Sequence, residues 1–421
     1  MPVLDLKLIR EDPDSVRAAL ARRGGSYPID EVLEADTRRR AAQSQIDELR
    51  AERKKGDKQI AKLQGDEKTK ELDRLKGLSD EIARLETEEA AAAAELNHGL
   101  LEIPNIPHES VPPGASDDDN VELYRVGEPR TFDFDPKDHL DIGEALGIID
   151  VERGARTSGS RFAYLKGQGA LLWSALSRYV LDLLMTEGFT PVVPPVLVRR
   201  EAMEGTGFLP TDEQQIYKTA DDDLYLVGTS EVPLAALHMG EMLDAPLLPL
   251  RYAGISTCFR REAGAHGRDT RGIFRLHQFE KVEMFSFVRP TDSWQEHDKL
   301  IAVEESILRA LELPYRAVNV CAGELGAPAA KKIDLEAWFP SQQRYREVTS
   351  CSNTTDYQAR RLNCRARTDH GPEFVHTLNG TAVTSSRHIA AILENNQRAD
   401  GSVGVPKVLV PYTGNSVIPR A

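Results

Sequence analysis

The sequence predicts an α+β chain, with strands and helices beyond residue 120 preceded by an arm of two long antiparallel helices. Three observations predict it. Mostly apolar and small residues recur at alternating spacings of three and four over 32–63 and again over 75–96. A stretch rich in Pro and Asp over 101–120 separates that arm from the remainder. Beyond it, 257–284 reads as two strands joined by a loop rich in Gly and Arg, among helices with apolar faces.

Residues 1 to about 30 read as a short strand and then a helix. Asp12-Pro13-Asp14-Ser15 supplies capping and first-turn chemistry ahead of Val16 and Leu20, and Gly24-Gly25 ends the helix. In the arm, Val32, Ala35, Arg39, Ala42, Ile46, Leu49, Arg53, Gly56, Ile60 and Leu63 form an imperfect seam, and Gln64-Gly65-Asp66 breaks it. Leu75, Leu78, Ile82, Leu85, Glu89, Ala92 and Leu96 form the second seam. Two such helices joined by a short turn pair antiparallel, and the first is roughly 50 Å long at 1.5 Å per residue. Between Arg38 and Lys76 stand 13 Lys or Arg against 8 Asp or Glu. Arg50, Arg53, Lys54, Lys55, Lys58 and Lys62, with Lys68, Lys70, Arg74 and Lys76, could track a phosphate backbone. A solvated charged face, or an oligomerising coiled coil, accounts for the same residues.

After the break, 169–187 is a helix with an apolar face, and 191–198 is β-rich but carries three prolines, which belong at an edge or an interface. Residues 224–232 read as a strand ending in Thr229-Ser230-Glu231, either a hydroxyl and carboxylate for an ammonium group or simply a cap. In the strand pair, alternation puts Arg260 and Glu262 on one side of the first strand and Arg275, Phe279 and Glu283 on one side of the second. The latter three stand roughly 13 Å apart in succession. Guanidinium, aromatic plane and carboxylate in a row suit phosphate, base and amine; an ion-paired surface ribbon is the plainer reading. Arg261, Glu280 and Lys281 read as pointing elsewhere. A helix over 291–311 follows. Then 345–353 gathers Glu347 and several hydroxyls, the hard oxygens that Mg²⁺ prefers. Residues 376–386 read as a small-residue strand running into a helix that begins near Arg387, suited to a flat ring and a phosphate.

Composition sets limits. A chain of 421 residues with 40% hydrophobic and 29% charged content is ordinary for a soluble protein of two or three domains. No apolar run approaches the roughly 20 residues that span a bilayer, and the start lacks a leader pattern, so a cytoplasmic protein is expected. Net charge of −14 argues against indiscriminate nucleic-acid binding. Cys258, Cys321, Cys351 and Cys364 are widely spaced, which indicates neither a disulfide framework nor a thiolate zinc site.

Taken in order, Pro195-Val196-Leu197 after a helix, FRRE at 259–262 with RLHQFEKVE at 275–283, and the strand entering a helix at Arg387 resemble the three motifs of class II aminoacyl-tRNA synthetases. Thr229-Ser230-Glu231, the 345–353 segment and the helical arm narrow the resemblance to the seryl-tRNA synthetase family, over essentially the whole chain. It implies an antiparallel β-sheet flanked by helices over 121–421, a linker at 104–120, and a tRNA-binding domain at 1–103 with its arm at about 32–98. It implies that ATP activates L-serine to an adenylate, which is passed to tRNA(Ser), with tRNA(Sec) a further acceptor.

Residue by residue, the resemblance implies that Arg260 meets the α-phosphate and the serine carboxylate, Glu262 the adenine amino group, and Arg275 and Arg387 the outer phosphates. Phe279 stacks on adenine. Arg261, Val348 and Thr349 complete the ATP-binding run, and Arg260 and Arg387 are its catalytic pair. Thr229, Ser230, Glu231, Arg260, Glu283 and Thr381 make the serine pocket, with the ammonium and hydroxyl not yet divided between Glu231 and Glu283. Glu347 and Ser350 hold Mg²⁺. Pro195 lies at the interface of a homodimer. The hydroxyls over 381–386, with Ser230 and Arg261, depart from many relatives and bear on fine specificity. Two other readings remain: a duplicated paralogue with a biosynthetic or resistance role, and an inactive tRNA-binding protein.

Overall fold

The computed structural model describes residues 5–263 and 271–420. Residues 1–4, where the short N-terminal strand was expected, and 264–270 of the Gly- and Arg-rich loop lie outside the described residues. The chain forms two compact units, Met1–Ala18 with Gly25–Ile103, and Ala19–Gly24 with Pro104–Ala421.

From Leu6 the chain is helical: α1 (Leu6–Glu11), capped by the Asp5 side chain, and α2 (Pro13–Ala21). The arm is α3 (Ile29–Ile60) and α4 (Gly65–Glu102). It begins earlier than the heptads suggest, with Asp30 and Glu31 placing negative charge in its first turn. Gly65 opens the second helix instead of sitting in the break. The seam is as read: Val32, Ala35, Ala42, Ile46 and Gly56 are buried on α3, and Leu75, Ile82, Leu85, Ala92 and Leu96 on α4. Gly56 is there for close approach, since a β-carbon would stand 2.6 Å from Leu75 Cδ2. Pattern reading missed Asp36. It is fully buried, with Arg10 Nε at 2.8 Å and Arg40 Nε at 2.9 Å, as an interior charge must be.

The second unit is built on an eight-stranded sheet. Its strands are β1 (Val121–Val126), β2 (Thr190–Val192), β3 (Leu250–Phe259), β4 (Gln278–Val288), β5 (Tyr315–Asn319), β6 (Lys331–Phe339), β7 (Arg344–Thr355) and β8 (His376–Thr384). They lie in the order β1-β5-β6-β7-β8-β4-β3-β2. Every pair is antiparallel except β2–β3, so the expected antiparallel sheet is borne out. Pro191 is accommodated because β2 is an edge strand.

Among the helices are α5 (Gln168–Thr186), α6 (Glu231–Ala236), α7 (Ser293–Ala310), α8 (Tyr357–Leu362) and α9 (Arg387–Asn395). Leu172, Leu176, Val180 and Leu184 recur every four residues on α5 and are wholly buried in the core with Leu300 and Ile307 of α7. Each such side chain contributes about 1.5–3 kcal/mol. The Pro- and Asp-rich stretch is packed rather than loose: Asn105 Nδ2 donates to the Thr354 carbonyl at 2.7 Å, and Val111 joins a small apolar cluster with Val320 and Leu325.

Two bulges shape the sheet. Against β6, Leu335 faces Thr349 while Glu336 faces Glu347, which leaves Val348 as an extra residue in β7. Against β4, Val282 faces Val383 while Glu283 faces Thr381, which leaves Ala382 extra in β8. Each flips the alternation beyond it.

Candidate functional site

The strand pair of the sequence is β3 and β4, with Gln278 opposite Phe259. Period two carries Phe279, Lys281 and Glu283 along one face of β4. Lys281 therefore belongs with the other two, a correction to its expected outward direction: it is buried, ion-pairs with Glu283, and reaches Thr229 Oγ1 at 3.3 Å. Glu280 does turn away, accepting from Thr257 Oγ1 at 2.8 Å. Arg275 and Glu262 lie beyond the strand ends, so alternation does not place them. Glu262 takes a left-handed φ of 50°, a strained choice for a side-chain-bearing residue. Its carboxylate accepts from Arg275 at 2.5 Å.

Thr229-Ser230-Glu231 does not end a strand. The local strand stops at Leu226, and Glu231 is the first residue of α6. Thr229 is partly the cap considered from sequence, accepting the Glu231 N–H at 3.2 Å, and its hydroxyl also donates to Glu283 at 2.6 Å. Ser230 faces the sheet, fully buried on Gly254, where a β-carbon would come within 3.0 Å of Ser230 Oγ and 2.8 Å of Leu234. Gly254 stands opposite Glu283 in the ladder, so this close approach brings the start of α6 over the carboxylate.

Glu231 is buried and accepts from Gln358 Nε2 at 2.7 Å and Asn379 Nδ2 at 2.9 Å. Burial, and then the charge of Glu283, push its carboxyl up to about 7, with Gln358, Lys281 and Arg260 opposing. Asn379 could have been found by alternation from Thr381. Gln358, on α8, carries no local signal.

Thr229, Glu231, Arg260, Glu262, Arg275, Glu347, Ser350, Thr381 and Arg387 line one cleft of about 480 Å³, the size of a small-ligand site. Phe279 and Val348 line an adjoining recess with Arg260, Arg275 and Arg387. The bulges make this possible: residues three apart point to opposite faces of a regular strand, yet Glu347 and Ser350 share the cleft. Arg260 is fixed by donating Nε to the Gly228 carbonyl at 3.1 Å, and its guanidinium lies 5.3 Å from the Phe279 ring centre. Arg387 meets Glu347 Oε1 at 2.8 Å and packs 4.9 Å over Phe274. Burial works to raise the Glu347 carboxyl, but Arg387, Lys332 and Arg260 overcome it and hold the group well below its usual range.

Other expected contacts lie elsewhere. Arg261 is exposed and outside the cleft lining. Thr349 is buried and donates to the Thr381 carbonyl at 2.6 Å. Pro195 is exposed. In the arm, Arg50 pairs with Glu86 at 2.7 Å, Arg74 with Glu71 at 2.7 Å and with Glu52, and Arg53 lies 4.0 Å from Asp57. Lys54, Lys55, Lys58, Lys62, Lys68, Lys70 and Lys76 are exposed and enter no ion pair among the described residues.

The second unit, with its antiparallel sheet and its cleft, falls in the class II aminoacyl-tRNA synthetases. Residues 215–396 match the model of the tRNA synthetase class II core domain for G, H, P, S and T. A Giardia lamblia prolyl-tRNA synthetase shares the fold, with a TM-score of 0.56 and 12% identity over 64% of this chain and 54% of that one. Residues 3–107 match the seryl-tRNA synthetase N-terminal domain. The chain is 52% identical to the serine--tRNA ligase of Nocardia farcinica over 418 residues, covering 99% of each. It is also 52% identical to that of Streptomyces coelicolor over 416 residues, covering 98% of each. The crystal structure of seryl-tRNA synthetase from Pyrococcus horikoshii complexed with ATP superimposes with a TM-score of 0.94 at 45% identity, covering 99% of this chain and 100% of that one. The chain belongs to the seryl-tRNA synthetase family.

Proposed function

We infer that the chain is an enzyme that joins L-serine to tRNA(Ser) at the expense of ATP. A serine carboxylate oxygen attacks the α-phosphorus and pyrophosphate leaves; the acyl group then passes to the terminal ribose of the tRNA. The single observation that carries this reading is the cleft that sets Arg260, Arg275 and Arg387 beside a pocket of Thr229, Glu231 and Thr381. Two anions must meet in the first step, so fixed cations and orientation matter more than a general base.

Arg260, anchored on the Gly228 carbonyl, spans the serine carboxylate and the α-phosphate. Arg275 and Arg387 take the outer phosphates, Phe279 the adenine plane and Glu262 its amino group. Glu283 is already neutralised by Lys281 and satisfied by Thr229, which suits it to the serine hydroxyl. Glu231 receives only neutral amides and so takes the ammonium.

Glu347 and Ser350 fit Mg²⁺, since the Val348 bulge turns both hard oxygens into the cleft. Among the described residues no group of three or more His, Cys, Asp or Glu could hold a metal ion, so phosphate oxygens and water complete the shell, the usual Mg²⁺ arrangement. When bound, the ion offsets phosphate charge. The free lysines of the arm suit a tRNA backbone. Homodimer formation through the Pro195 region is supported by exposed apolar neighbours, Val193 at 82% among them. We assign 1–103 to tRNA binding, 104–120 to a linker and 121–421 to catalysis. No helix among the described residues is long and apolar enough to cross a membrane, in keeping with a cytoplasmic setting.

Pyrophosphate exchange with each amino acid tests the reading. Exchange should require serine and vanish in Arg260→Ala, with tRNA binding retained; serine-independent or absent exchange in the unaltered protein would refute it.

A further inference from the structure

The cleft continues past Glu347 into a polar recess of about 900 Å³, lined also by Arg275, Arg387, Lys332 and Asp334. Alternation brings Lys332, Asp334 and Glu336 to one face of β6. The ladder sets Asp334 directly opposite Ser350, and Glu336 opposite Glu347. Glu336 is occupied, accepting from Arg316 Nε at 2.6 Å. Asp334 is half occupied: Oδ2 lies 3.4 Å from Lys332 Nζ, whereas Oδ1 is buried and makes no hydrogen bond of good geometry, with the Ser350 hydroxyl near enough to favour the carboxylate. The residue is only 6% exposed.

A buried acceptor left unpaired costs about 1–3 kcal/mol, and more when charged. The location is also unfavourable for a bare carboxylate. Asp334 borders the recess where Arg275 and Arg387 await phosphates, and Glu347 is close enough to repel its charge. Carboxylates and phosphates share such a space only when a cation stands between them.

We propose that Asp334 is a third oxygen donor to the divalent cation assigned above to Glu347 and Ser350, an inference that rests on that assignment. Two carboxylates from adjacent strands and one hydroxyl would then hold the ion, with phosphate oxygens and water in the remaining positions, within the one or two carboxylates usual for Mg²⁺. Lys332 keeps the second Asp334 oxygen turned inward and its charge balanced when the ion is away.

The test is Mn²⁺ affinity of the full chain with the β,γ-imido analogue of ATP, read from the EPR signal of free Mn²⁺. Glu347→Gln should lose protein-dependent Mn²⁺ binding, and Asp334→Asn should weaken it about tenfold or more, with metal-free analogue binding unchanged as the check on folding. Asp334→Cys should likewise bind Mn²⁺ weakly but prefer Cd²⁺ about tenfold over Asp334→Asn, because a thiolate ligand favours the softer ion. Unaltered Mn²⁺ affinity in Glu347→Gln would overturn the cation site itself. A defect in Glu347→Gln with none in Asp334→Asn would overturn only the role of Asp334. Weakening in both Asp334 variants without a Cd²⁺ preference in Asp334→Cys would also overturn it, leaving Asp334 as a support for Lys332.

Discussion

Glu231→Gln examines the serine pocket through its electrostatics. Burial and the neighbouring Glu283 hold the Glu231 carboxyl at about 7 against an ordinary 4.5. Between those values the folded chain keeps a proton that the unfolded chain has released. The unfolding free energy contributed by this group is therefore highest below pH 4.5, falls as pH rises through the window, and is lowest above pH 7. At about 1.4 kcal/mol per pH unit, the decline amounts to roughly 3 kcal/mol. Glutamine does not titrate, and its carbonyl can still accept from Gln358 and Asn379. Thermal melts of the ligand-free variant and parent should thus diverge with pH, the variant gaining several degrees on the parent between pH 5 and pH 8. Serine-dependent exchange should collapse in the same variant, because an amide offers the ammonium no charge. In the parent near pH 7, calorimetry in buffers of different ionisation enthalpy should register a proton released on serine binding. A melting difference that stays flat from pH 5 to pH 8 would refute the reasoning, whatever happens to activity.

Removing the cation beside this pair should act in the opposite sense. In Lys281→Met the carboxyl of Glu231, which Lys281 lowers, should keep its proton to higher pH, so the serine KM should rise near neutrality and recover toward alkaline pH, with the ATP KM little changed; a pH-independent defect would point to packing instead. Glu283→Gln should narrow the serine-to-alanine ratio of kcat/KM about tenfold or more, since sites that hydrogen-bond a hydroxyl reject analogues lacking it; an unchanged ratio would place the hydroxyl elsewhere. Neutralising Lys54, Lys55, Lys58 and Lys62 together should leave pyrophosphate exchange intact, weaken tRNA charging, and reduce the slope of log K against log salt by about 0.7–0.9 for each phosphate that a lysine no longer neutralises. An unaltered slope would remove these lysines from the tRNA interface.

Much of this was legible in the chain because it depends on local periodicity. Heptads in the arm, the break near Gly65 and the antiparallel strand pair all follow from spacings of three, four and two, and the structure keeps them with shifts of a few residues. Lys281 was legible too, standing midway between Phe279 and Glu283 on the same face. Asp36 was not: its burial follows from Arg10, 26 residues away in the chain, and no heptad rule anticipates a charge there.

What the sequence determined by itself is the inventory of the site: the arginines, the aromatic ring, the carboxylates, and the strand pair that carries Phe279 and Glu283, since each is a property of a few neighbouring residues. Only the tertiary structure decided how they face one another. The Val348 bulge turns Glu347 and Ser350 to a common side, Gly254 lets Ser230 settle on the sheet so that Thr229 reaches Glu283, and α8 delivers Gln358 to Glu231. A bulge is one extra residue against a partner strand, and a buried contact is a matter of what packs alongside. Neither is written in the segment that bears it.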